Sequence, residues 1–445
     1  MWGTVDDYRL IADTVANEIA AGRLRAGEQL PPQRRFARRH GIAASTAARV
    51  YGELVRRGLA VGEVGRGTFV RAAAPAPEPA LSEPATARVD LELNFPMLPD
   101  QAELLSSSLA RLLRPDVLAE ALRPVTVDGT AAARAAAASL LTRTGWTPDA
   151  DRILFAGNGR QAIAAAIAAL VPVGGRLGVE AMTYPVVKAV AARLGVTLVP
   201  MEMDEHGLLP KAVRDAAVRA VYVQPTLHNP LGVTMPEKRR TELAQTLIDR
   251  ALPAIEDGIY TFLRDDLPPL AAYAPDHVVL VDSMSKRIAP GLSLGYLAPP
   301  TATADAVASA LRSGGWAATR FAMEAATHCV VDGTAEKIAV AKRADAAARQ
   351  RLVADRLAGF TVHADPGAFH CWWELPEPWR AEMFVAAAAR HGIAVTPAAA
   401  FAVGNGRAPN AVRLALSAPP AEVLASTLDT LAKLAGTRPE DTTVD

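Results

Sequence analysis

A lysine and an aspartate in this chain have neighbours suited to chemistry on an amine. Lys286 follows an apolar run and stands beside the small hydroxyl residues Ser283 and Ser285. A lysine so placed can form a Schiff base if desolvation and nearby cations lower its pKa. Asp257 follows another apolar run and precedes Tyr260 by three residues. A carboxylate at that position can pair with the ring N–H of a pyridinium, so the set indicates Schiff-base chemistry on a ring compound, although each residue taken singly is more often structural.

These residues stand at the ends of short apolar runs that alternate with alanine-rich amphipathic segments. The alternation predicts an α/β domain with a mostly parallel sheet, in which ligands bind at the carboxyl ends of the strands. A glycine-rich turn, Gly157–Gln161, follows the first run and can present backbone N–H groups to a phosphate. The predicted strands are Ile153–Phe155, Leu177–Val179, Thr197–Pro200, Ala220–Val223, Ala254–Glu256, Val278–Val281 and Leu294–Leu297.

Length and composition predict a globular protein of two or three domains. The chain has 445 residues, of which 50% are hydrophobic and 21% are charged, so global disorder is excluded. The segment Ala72–Arg88 contains four prolines among alanine and glutamate. Such a segment has little to bury and is typical of a semi-extended linker rather than of a long loop inside one domain. We therefore expect a first domain over 1–71, a linker over 72–88 and a second domain over 89–445.

The net charge of zero argues against a nucleic-acid-binding protein only until the chain is divided at the linker. Residues 1–71 contain 12 arginines, no lysine and 7 acidic residues, which gives +5 and leaves −5 on the remainder. Arginine suits contacts with phosphates and base edges. The distribution therefore favours a nucleic-acid-binding first domain beside an acidic second domain.

Targeting and metal signals are absent from the sequence pattern. The N-terminus has no basic segment followed by an apolar one, and no apolar run reaches the ~18 residues that a membrane helix needs. The two cysteines, Cys329 and Cys371, are too few for a disulfide framework or a cysteine-based zinc site. We expect a soluble cytoplasmic protein without a metal or a membrane partner.

The first domain has the pattern of a winged helix-turn-helix. A first helix is predicted by residues that recur at helical spacing, namely Tyr8, Ile11, Ala12, Val15 and Ile19. A second helix is expected over Arg34–His40, closed by Gly41, and a third over Thr46–Arg57 with Ser45 as its N-cap. The residues expected to face inward on the third helix are Val50, Tyr51, Leu54 and Val55. The two strands of a wing are then expected over Leu59–Glu63 and Thr68–Arg71.

In this arrangement the third helix enters the major groove of DNA and the wing contacts the backbone or the minor groove. Thr46 and Arg49 are the best candidates for reading bases, with Ser45 beside them and Arg66 in the wing. The candidates for phosphate contacts are Arg34, Arg35, Arg38 and Arg39. The segment LRAGEQLPPQRRFARRHGIAASTAARVYGELVRRGLAVGEVGRGTFV, with its G-x-x-L-P and G-x-G-T-x-V motifs, resembles the GntR family of bacterial transcription regulators. A basic helical interaction domain that does not bind DNA is the alternative.

The second domain resembles the fold-type I, pyridoxal-phosphate-dependent aminotransferases over Leu91–Leu434. The resemblance implies a large sheet domain followed by a smaller C-terminal α+β subdomain. It implies that Lys286 is the Schiff-base lysine, that Asp257 keeps the pyridine nitrogen protonated, and that Tyr184 stacks on the ring. Asn229 and Tyr260 would then hydrogen-bond the phenolic oxygen, and Arg413 would bind the α-carboxylate of an amino acid. The residues implied for the phosphate are Gly159, Arg160, Ser283 and Ser285.

One position departs from the family pattern. The arginine that usually follows the lysine by seven residues, within P-G-x-R-x-G-Y, is Ser293 here. One charge-assisted phosphate contact is therefore missing, and Arg287 and Arg160 are the candidates to replace it. Failing that, neutral donors would hold most of the phosphate. The turn at Asn229 keeps the N-P-x-G form of aminotransferases, which leaves residual catalytic capacity open.

The fusion of the two halves resembles the MocR subfamily of GntR regulators. The resemblance implies a transcription regulator that binds an operator in double-stranded DNA, binds pyridoxal phosphate, senses an amine or amino acid or the cofactor itself, and forms a head-to-tail homodimer. A working aminotransferase with an incidental first domain is the first alternative, and a sensor that binds no pyridoxal phosphate is the second. Cys371–Glu374 is expected to pack in the C-terminal sheet rather than to line the site.

Overall fold

The computed structural model describes residues 7–20, 23–24, 28–56, 59–63, 67–70, 87–264, 266–404 and 408–439. The chain divides into two compact units, Met1–Glu78 and Pro79–Asp445. This division falls inside the segment expected to be a linker, but residues 71–86 lie outside the described part of the chain. The bounds of the linker therefore stay a prediction.

The described residues of the first unit form three helices and a two-stranded antiparallel sheet, in the order of a winged helix-turn-helix. The elements are α1 (Asp7–Ala20), α2 (Gln33–His40), α3 (Ala44–Arg56), β1 (Ala60–Glu63) and β2 (Gly67–Val70). Ala12 and Val15 of α1 pack against Val50 and Leu54 of α3 in one apolar core. Gly41 ends α2 in the left-handed conformation (φ 64°), which a residue without a side chain adopts at little cost. The helical periodicity of the sequence therefore predicted the helices correctly.

Two expectations for α3 were wrong. The helix begins at Ala44, and the N–H of Ala47 donates to the carbonyl of Ala43, so Ser45 lies inside the first turn and is not the N-cap. Val55 is 45% exposed, because it lies beyond the edge of the stripe formed by the buried Val50, Tyr51 and Leu54. Arg66 and Arg57 lie outside the described residues.

The second unit is built on a mostly parallel seven-stranded sheet with helices on both faces. Its strands are β3 (Val89–Asp90), β4 (Leu154–Ala156), β5 (Arg176–Glu180), β6 (Thr197–Met201), β7 (Met203–Asp204), β8 (Gly207–Leu208), β9 (Ala220–Val223), β10 (Ala254–Asp257), β11 (Val278–Ser283), β12 (Gly295–Ala298), β13 (Thr361–His363), β14 (His370–Glu374), β15 (Ile393–Ala394), β16 (Thr396–Pro397) and β17 (Ala411–Ala415). The large sheet has the order β4-β12-β11-β10-β9-β5-β6, and within it β12 runs antiparallel to its two neighbours. All seven strands predicted from the apolar runs belong to this sheet.

The helices of the second unit connect these strands. They are α4 (Gln101–Leu109), α5 (Pro115–Ala121), α6 (Ala131–Leu141), α7 (Gly159–Leu170), α8 (Pro185–Arg193), α9 (Pro210–Asp215), α10 (Glu237–Asp249), α11 (Leu270–Tyr273), α12 (Met284–Arg287), α13 (Thr301–Ser313), α14 (Arg320–Val331), α15 (Thr334–Arg356), α16 (Ala381–Arg390) and α17 (Ala421–Ala435). Short 3-10 turns occur at Ala110–Leu113, Ala150–Arg152, Thr261–Leu263, Pro290–Leu292 and Ala398–Ala400. Among the described residues, no helix is long and apolar enough to cross a membrane.

Strand residues alternate between two apolar cores, one on each face of the large sheet. Val221 and Val223 of β9 enter one core, and Ala220 and Tyr222 enter the other, as the two-residue period of a strand requires. A second, four-stranded antiparallel sheet of order β13-β14-β17-β16 follows the long helix α15. It packs its own core against α16 and α17, which gives the smaller C-terminal α+β subdomain. Cys371–Glu374 belongs to β14 of this sheet.

The turn that follows β9 is fixed by a buried arginine of α10. Arg240 is fully buried and donates to the carbonyls of Met235 (2.9 Å), Pro268 (2.9 Å) and Pro225 (3.0 Å). It also donates to the Thr226 hydroxyl at 2.8 Å. These four bonds tie the turn to α10, so the Arg240 side chain holds the turn in one conformation.

We expect Arg240→Met to lower the free energy of unfolding by about 3–5 kcal/mol, because it removes four hydrogen bonds made by a buried guanidinium. Lys238→Met on the same helix removes a positive charge from a side chain that is 87% exposed and should cost less than about 0.5 kcal/mol. Urea denaturation followed by tryptophan fluorescence compares the two variants. Equal stability of the two variants would contradict the role given to Arg240.

Candidate functional site

The carboxyl ends of the parallel strands surround one pocket in the second unit. Strand β4 leads to the turn before α7, β9 leads to the turn around Asn229, β10 ends at Asp257, and β11 leads into α12 with Lys286. Most of the residues expected from the sequence line this pocket, namely Gly159, Arg160, Tyr184, Asn229, Asp257, Tyr260, Ser285, Lys286 and Arg413. The topology thus brings together residues that are far apart in the chain.

The Asp257 carboxylate is held by three donors. Its Oδ2 accepts hydrogen bonds from the Tyr222 hydroxyl (2.5 Å) and the Gln224 side-chain amide (2.9 Å), and its Oδ1 accepts from the Ile259 N–H (3.1 Å). Burial raises the pKa of Asp257 to about 6, against the opposing effect of these bonds. The carboxylate is therefore both fixed in orientation and costly to keep charged, which suits it to pair with a cationic N–H.

The amine of Lys286 lies in surroundings that favour its neutral form. Burial and then the nearby Arg413 and Arg160 lower the pKa of Lys286 well below its ordinary value. The Nζ atom lies 3.4 Å from the centroid of the Phe95 ring and donates to the carbonyl of Asn94. A neutral amine is nucleophilic, so this environment fits the Schiff-base chemistry expected of Lys286.

Polar groups near Lys286 include the side-chain oxygens of Asn94 and Asn229, which have no hydrogen-bond partner among the described residues. The Asn94 amide nitrogen donates to the Tyr260 hydroxyl at 2.9 Å, and burial raises the pKa of Tyr260. The side-chain oxygen of Asn229 is buried and has no hydrogen-bond partner among the described residues. Burial likewise raises the pKa of Tyr184, which therefore stays a neutral phenol at the pocket wall. The Tyr260 hydroxyl, which accepts from Asn94, keeps its own proton for an oxygen of a bound molecule, whereas the Asn229 oxygen can only accept.

Arg413 enters the pocket from β17 of the small sheet. Its Nη2 donates to the carbonyl of Glu92 (2.7 Å) and to the Thr396 hydroxyl (3.2 Å), and its guanidinium carbon lies 5.3 Å from the Phe401 ring centroid. Its Nε is buried without a partner among the described residues. A buried guanidinium with an unused donor can bind a carboxylate.

The end of the pocket near α7 combines backbone and hydroxyl donors with one guanidinium. The Asn158 side chain caps α7 by accepting from the Gln161 N–H (2.9 Å), and Arg160 and Ser285 line the wall. Ser293, at the position where the resembled family has arginine, lines the same pocket, and its hydroxyl is buried without a partner in the described part of the chain. A Cβ on Gly159 would lie only 3.0 Å from the Cβ of Ser283, so glycine permits this close approach.

Two of the expected residues do not line the pocket. The Ser283 hydroxyl accepts from the Ser285 N–H at 3.1 Å and caps α12. Arg287 is buried and pairs with Asp282, whose carboxylate also lies 3.8 Å from Arg143. Asp282 itself lines the pocket, so Arg287 faces the site through a carboxylate rather than directly. Of the two arginines considered as replacements at Ser293, the structure brings Arg160 to the pocket and leaves Arg287 behind Asp282.

Sequence reasoning missed several residues of the pocket wall. An irregular segment before α4 supplies Glu92, Asn94 and Phe95. This segment has no apolar periodicity in its sequence. Tyr222 contacts Asp257 although the sequence shows it only as one apolar residue of a strand. The topology alone brings these side chains to the site.

In the first unit the candidate DNA-contacting residues lie on α2 and α3. Ser45 and Arg49 are exposed on α3, Thr46 is half-buried, and the guanidinium carbon of Arg49 lies 6.0 Å from the Tyr8 ring centroid. The exposed arginines of α2 are Arg34, Arg35, Arg38 and Arg39. Phe36 of α2 packs edge-on against Tyr51 of α3, which fixes the two helices against each other.

Comparisons with known proteins match both units. Residues 120–431 match the family "Aminotransferase class I and II", and residues 7–70 match "Bacterial regulatory proteins, gntR family". The HTH-type transcriptional regulator YdeF of Bacillus subtilis is 31% identical over 93% of this chain and 90% of its own length. The vitamin B6 salvage pathway transcriptional repressor PtsJ of Salmonella typhimurium is 28% identical over 88% of this chain and 90% of its own. An archaeal alanine:glyoxylate aminotransferase shares the fold, with a TM-score of 0.72 at 20% identity over 78% of this chain and 90% of its own.

Fold and sequence together define a winged helix-turn-helix DNA-binding domain joined to an aminotransferase-like domain of fold type I. The chain belongs to the class I and II aminotransferase family and, through its GntR domain, to the transcription regulators of the MocR subfamily.

The raised pKa of Asp257 makes stability depend on pH. An aspartate in an unfolded chain titrates near 3.9, so between pH ~4 and ~6 the folded protein retains a proton that the unfolded chain has lost. The resulting stabilisation is complete below about pH 4 and is lost as the pH rises through about 6. When the pH rises from ~4.5 to ~7.5, we expect the free energy of unfolding of cofactor-free wild type to fall by about 1–2 kcal/mol more than that of Asp257→Asn. Denaturation curves at the two pH values test this, and a constant difference between the proteins would contradict it.

Proposed function

We propose that the chain is a transcription regulator that binds operator DNA through residues 1–71 and pyridoxal phosphate through Lys286. We propose further that it responds to an amine or amino-acid effector, or to the cofactor itself. The observation that carries the proposal is the meeting of Lys286, Asp257, Tyr184 and Arg413 in one pocket. Pyridoxal phosphate, when bound, supplies an aldehyde and an electron-withdrawing ring.

The donor set fits this cofactor. Asp257, held by Tyr222 and Gln224, would pair with the ring nitrogen. The Asn229 side-chain NH2 and the Tyr260 hydroxyl, which both belong to residues of the pocket wall, would donate to the phenolic oxygen. The aromatic ring of Tyr184 would stack on the cofactor ring.

The phosphate would be held by one guanidinium and several neutral donors. Arg160, the Gly159 backbone, Ser285 and the unpartnered Ser293 hydroxyl line the same end of the pocket. The N-terminus of α7 adds backbone N–H groups and a positive dipole end. Arg287 would act by neutralising Asp282 and so by reducing the repulsion between that carboxylate and a phosphate.

The effector would bind beside the cofactor. Arg413 would bind the carboxylate of an amino acid and direct its amine toward Lys286. A ligand that binds one conformation better than another shifts the population toward it. The relative that is named a vitamin B6 salvage repressor supports the cofactor itself as a possible second signal.

The proposal includes a cytoplasmic, head-to-tail homodimer, as the resemblance to the MocR subfamily implies. Two winged helices on one dimer would read two half-sites, and the spacing of those half-sites would depend on the state of the second domains. A Pro-rich linker limits the spacings that can be reached.

We expect Lys286→Ala to lose the visible absorbance of a Schiff base, because no other amine lies at that position, and to lose the effect of cofactor or effector on DNA binding. Lys337→Ala, an exposed lysine of α15, is the matched control and should keep both. Absorbance spectra and footprints on the DNA that flanks the gene measure the two properties. A colourless wild type that still binds DNA would discard the cofactor, and steady turnover of amino acid to keto acid without specific DNA binding would favour an aminotransferase.

Arg160→Ala should weaken binding of pyridoxal phosphate by about 10- to 100-fold, because it removes the one cation that lines the phosphate end directly among the described residues. Arg193→Ala removes an exposed arginine of α8 and should leave the affinity unchanged. Titration of the cofactor-free proteins, followed by absorbance, gives the affinities. An unchanged affinity in Arg160→Ala would show that neutral donors suffice.

A further inference from the structure

One acidic residue of the pocket wall, Glu92, has no role in the proposed binding of the cofactor. Glu92 lines the pocket next to Arg413, which donates to the backbone carbonyl of Glu92 at 2.7 Å. Among the described residues, the side-chain carboxylate of Glu92 has neither a hydrogen bond nor an ion pair within 4 Å. Its backbone N–H donates to Asp90 at 2.7 Å, so the segment that carries it is fixed.

The other acidic residues of the wall already have partners. Asp257 accepts from Tyr222 and Gln224, and Asp282 pairs with Arg287. Glu92 has no such partner, and burial together with Asp90 raises its pKa, while Arg413 opposes this rise. A half-buried carboxylate that makes no direct ion pair carries a desolvation cost that a ligand can relieve.

The position of Glu92 limits which carboxylate ligands can bind well. A ligand carboxylate on Arg413 lies in the same part of the pocket as Glu92, and two carboxylates repel each other unless a second cation separates them. An amino acid with an apolar side chain leaves Glu92 unpaired, and an acidic side chain adds repulsion. A ligand with a second amine supplies the missing cation.

We propose that the effector of this pocket is an amino acid with a second cationic group, a diamino acid, whose side-chain ammonium pairs with Glu92. This inference rests on the proposed function, since it places the α-amine toward Lys286 and the α-carboxylate on Arg413. Selectivity then arises from a charge pair in the pocket rather than from its volume.

The test compares diamino acids with apolar amino acids of the same shape. L-2,4-diaminobutyrate against L-norvaline, and L-ornithine against L-norleucine, exchange one ammonium for one methyl group. Each is titrated into the protein loaded with pyridoxal phosphate, and the change in visible absorbance and the shift in DNA affinity are both recorded. The proteins are wild type, Glu92→Gln, Glu92→Asp and the control Glu103→Gln, which neutralises an exposed residue of α4.

For at least one pair we expect wild type and Glu103→Gln to bind the diamino acid at least about tenfold more tightly than its apolar partner. Glu92→Gln should lose this preference without weaker binding of the apolar partner, and Glu92→Asp should retain part of it. The inference is overturned if wild type binds both members of each of the two pairs equally while the cofactor band remains. It is also overturned if Glu92→Gln keeps the preference unchanged. Absence of the band before any ligand is added overturns the proposed function, and this inference with it.

Discussion

The candidate site depends on the burial of the Lys286 amine, which disfavours its charged form. Burial disfavours the ammonium form, and Arg413 and Arg160 disfavour it further, so the pKa of Lys286 falls. The same burial raises the pKa of Asp257 to about 6, which makes that carboxylate a strong partner for any cationic N–H that enters. One physical cause, the removal of water, therefore lowers the pKa of the amine and raises that of the carboxyl group in the same pocket.

The fold supports this arrangement through a second lysine behind the first. Lys342 of α15 is fully buried and donates to the carbonyls of Lys286 (2.9 Å) and Ile288 (2.6 Å). Burial lowers the pKa of Lys342 to about 7. Since α15 leads from the large sheet to the small one, the turn that carries Lys286 is tied to the helix that joins the two parts of the domain.

Local patterns in the sequence predicted the elements well, because periodicity and turn residues are local properties. The seven strands of the large sheet and the three helices of the winged domain follow from such patterns. Ser45 was wrong as an N-cap because α3 begins at Ala44, and Val55 was wrong as an inward residue because it lies beyond the edge of the apolar stripe. Lys286 and Asp257 were found from their places after apolar runs and from the family resemblance, and Arg413 from the resemblance alone. Glu92, Phe95 and Tyr222 could not be found, since they reach the pocket through long-range packing and stand in no motif. The pairing of Arg287 with Asp282 likewise depends on the direction of a side chain that spacing does not give.

The central claim is that Lys286 is the amine that binds pyridoxal phosphate. Reduction of the cofactor-loaded protein with borohydride, followed by peptide mass spectrometry, fixes the cofactor to the lysine that holds it. We expect a phosphopyridoxyl adduct on the peptide that contains Lys286 and none on the buried Lys342 or on Lys188. An adduct on another lysine, or none at all, would contradict it.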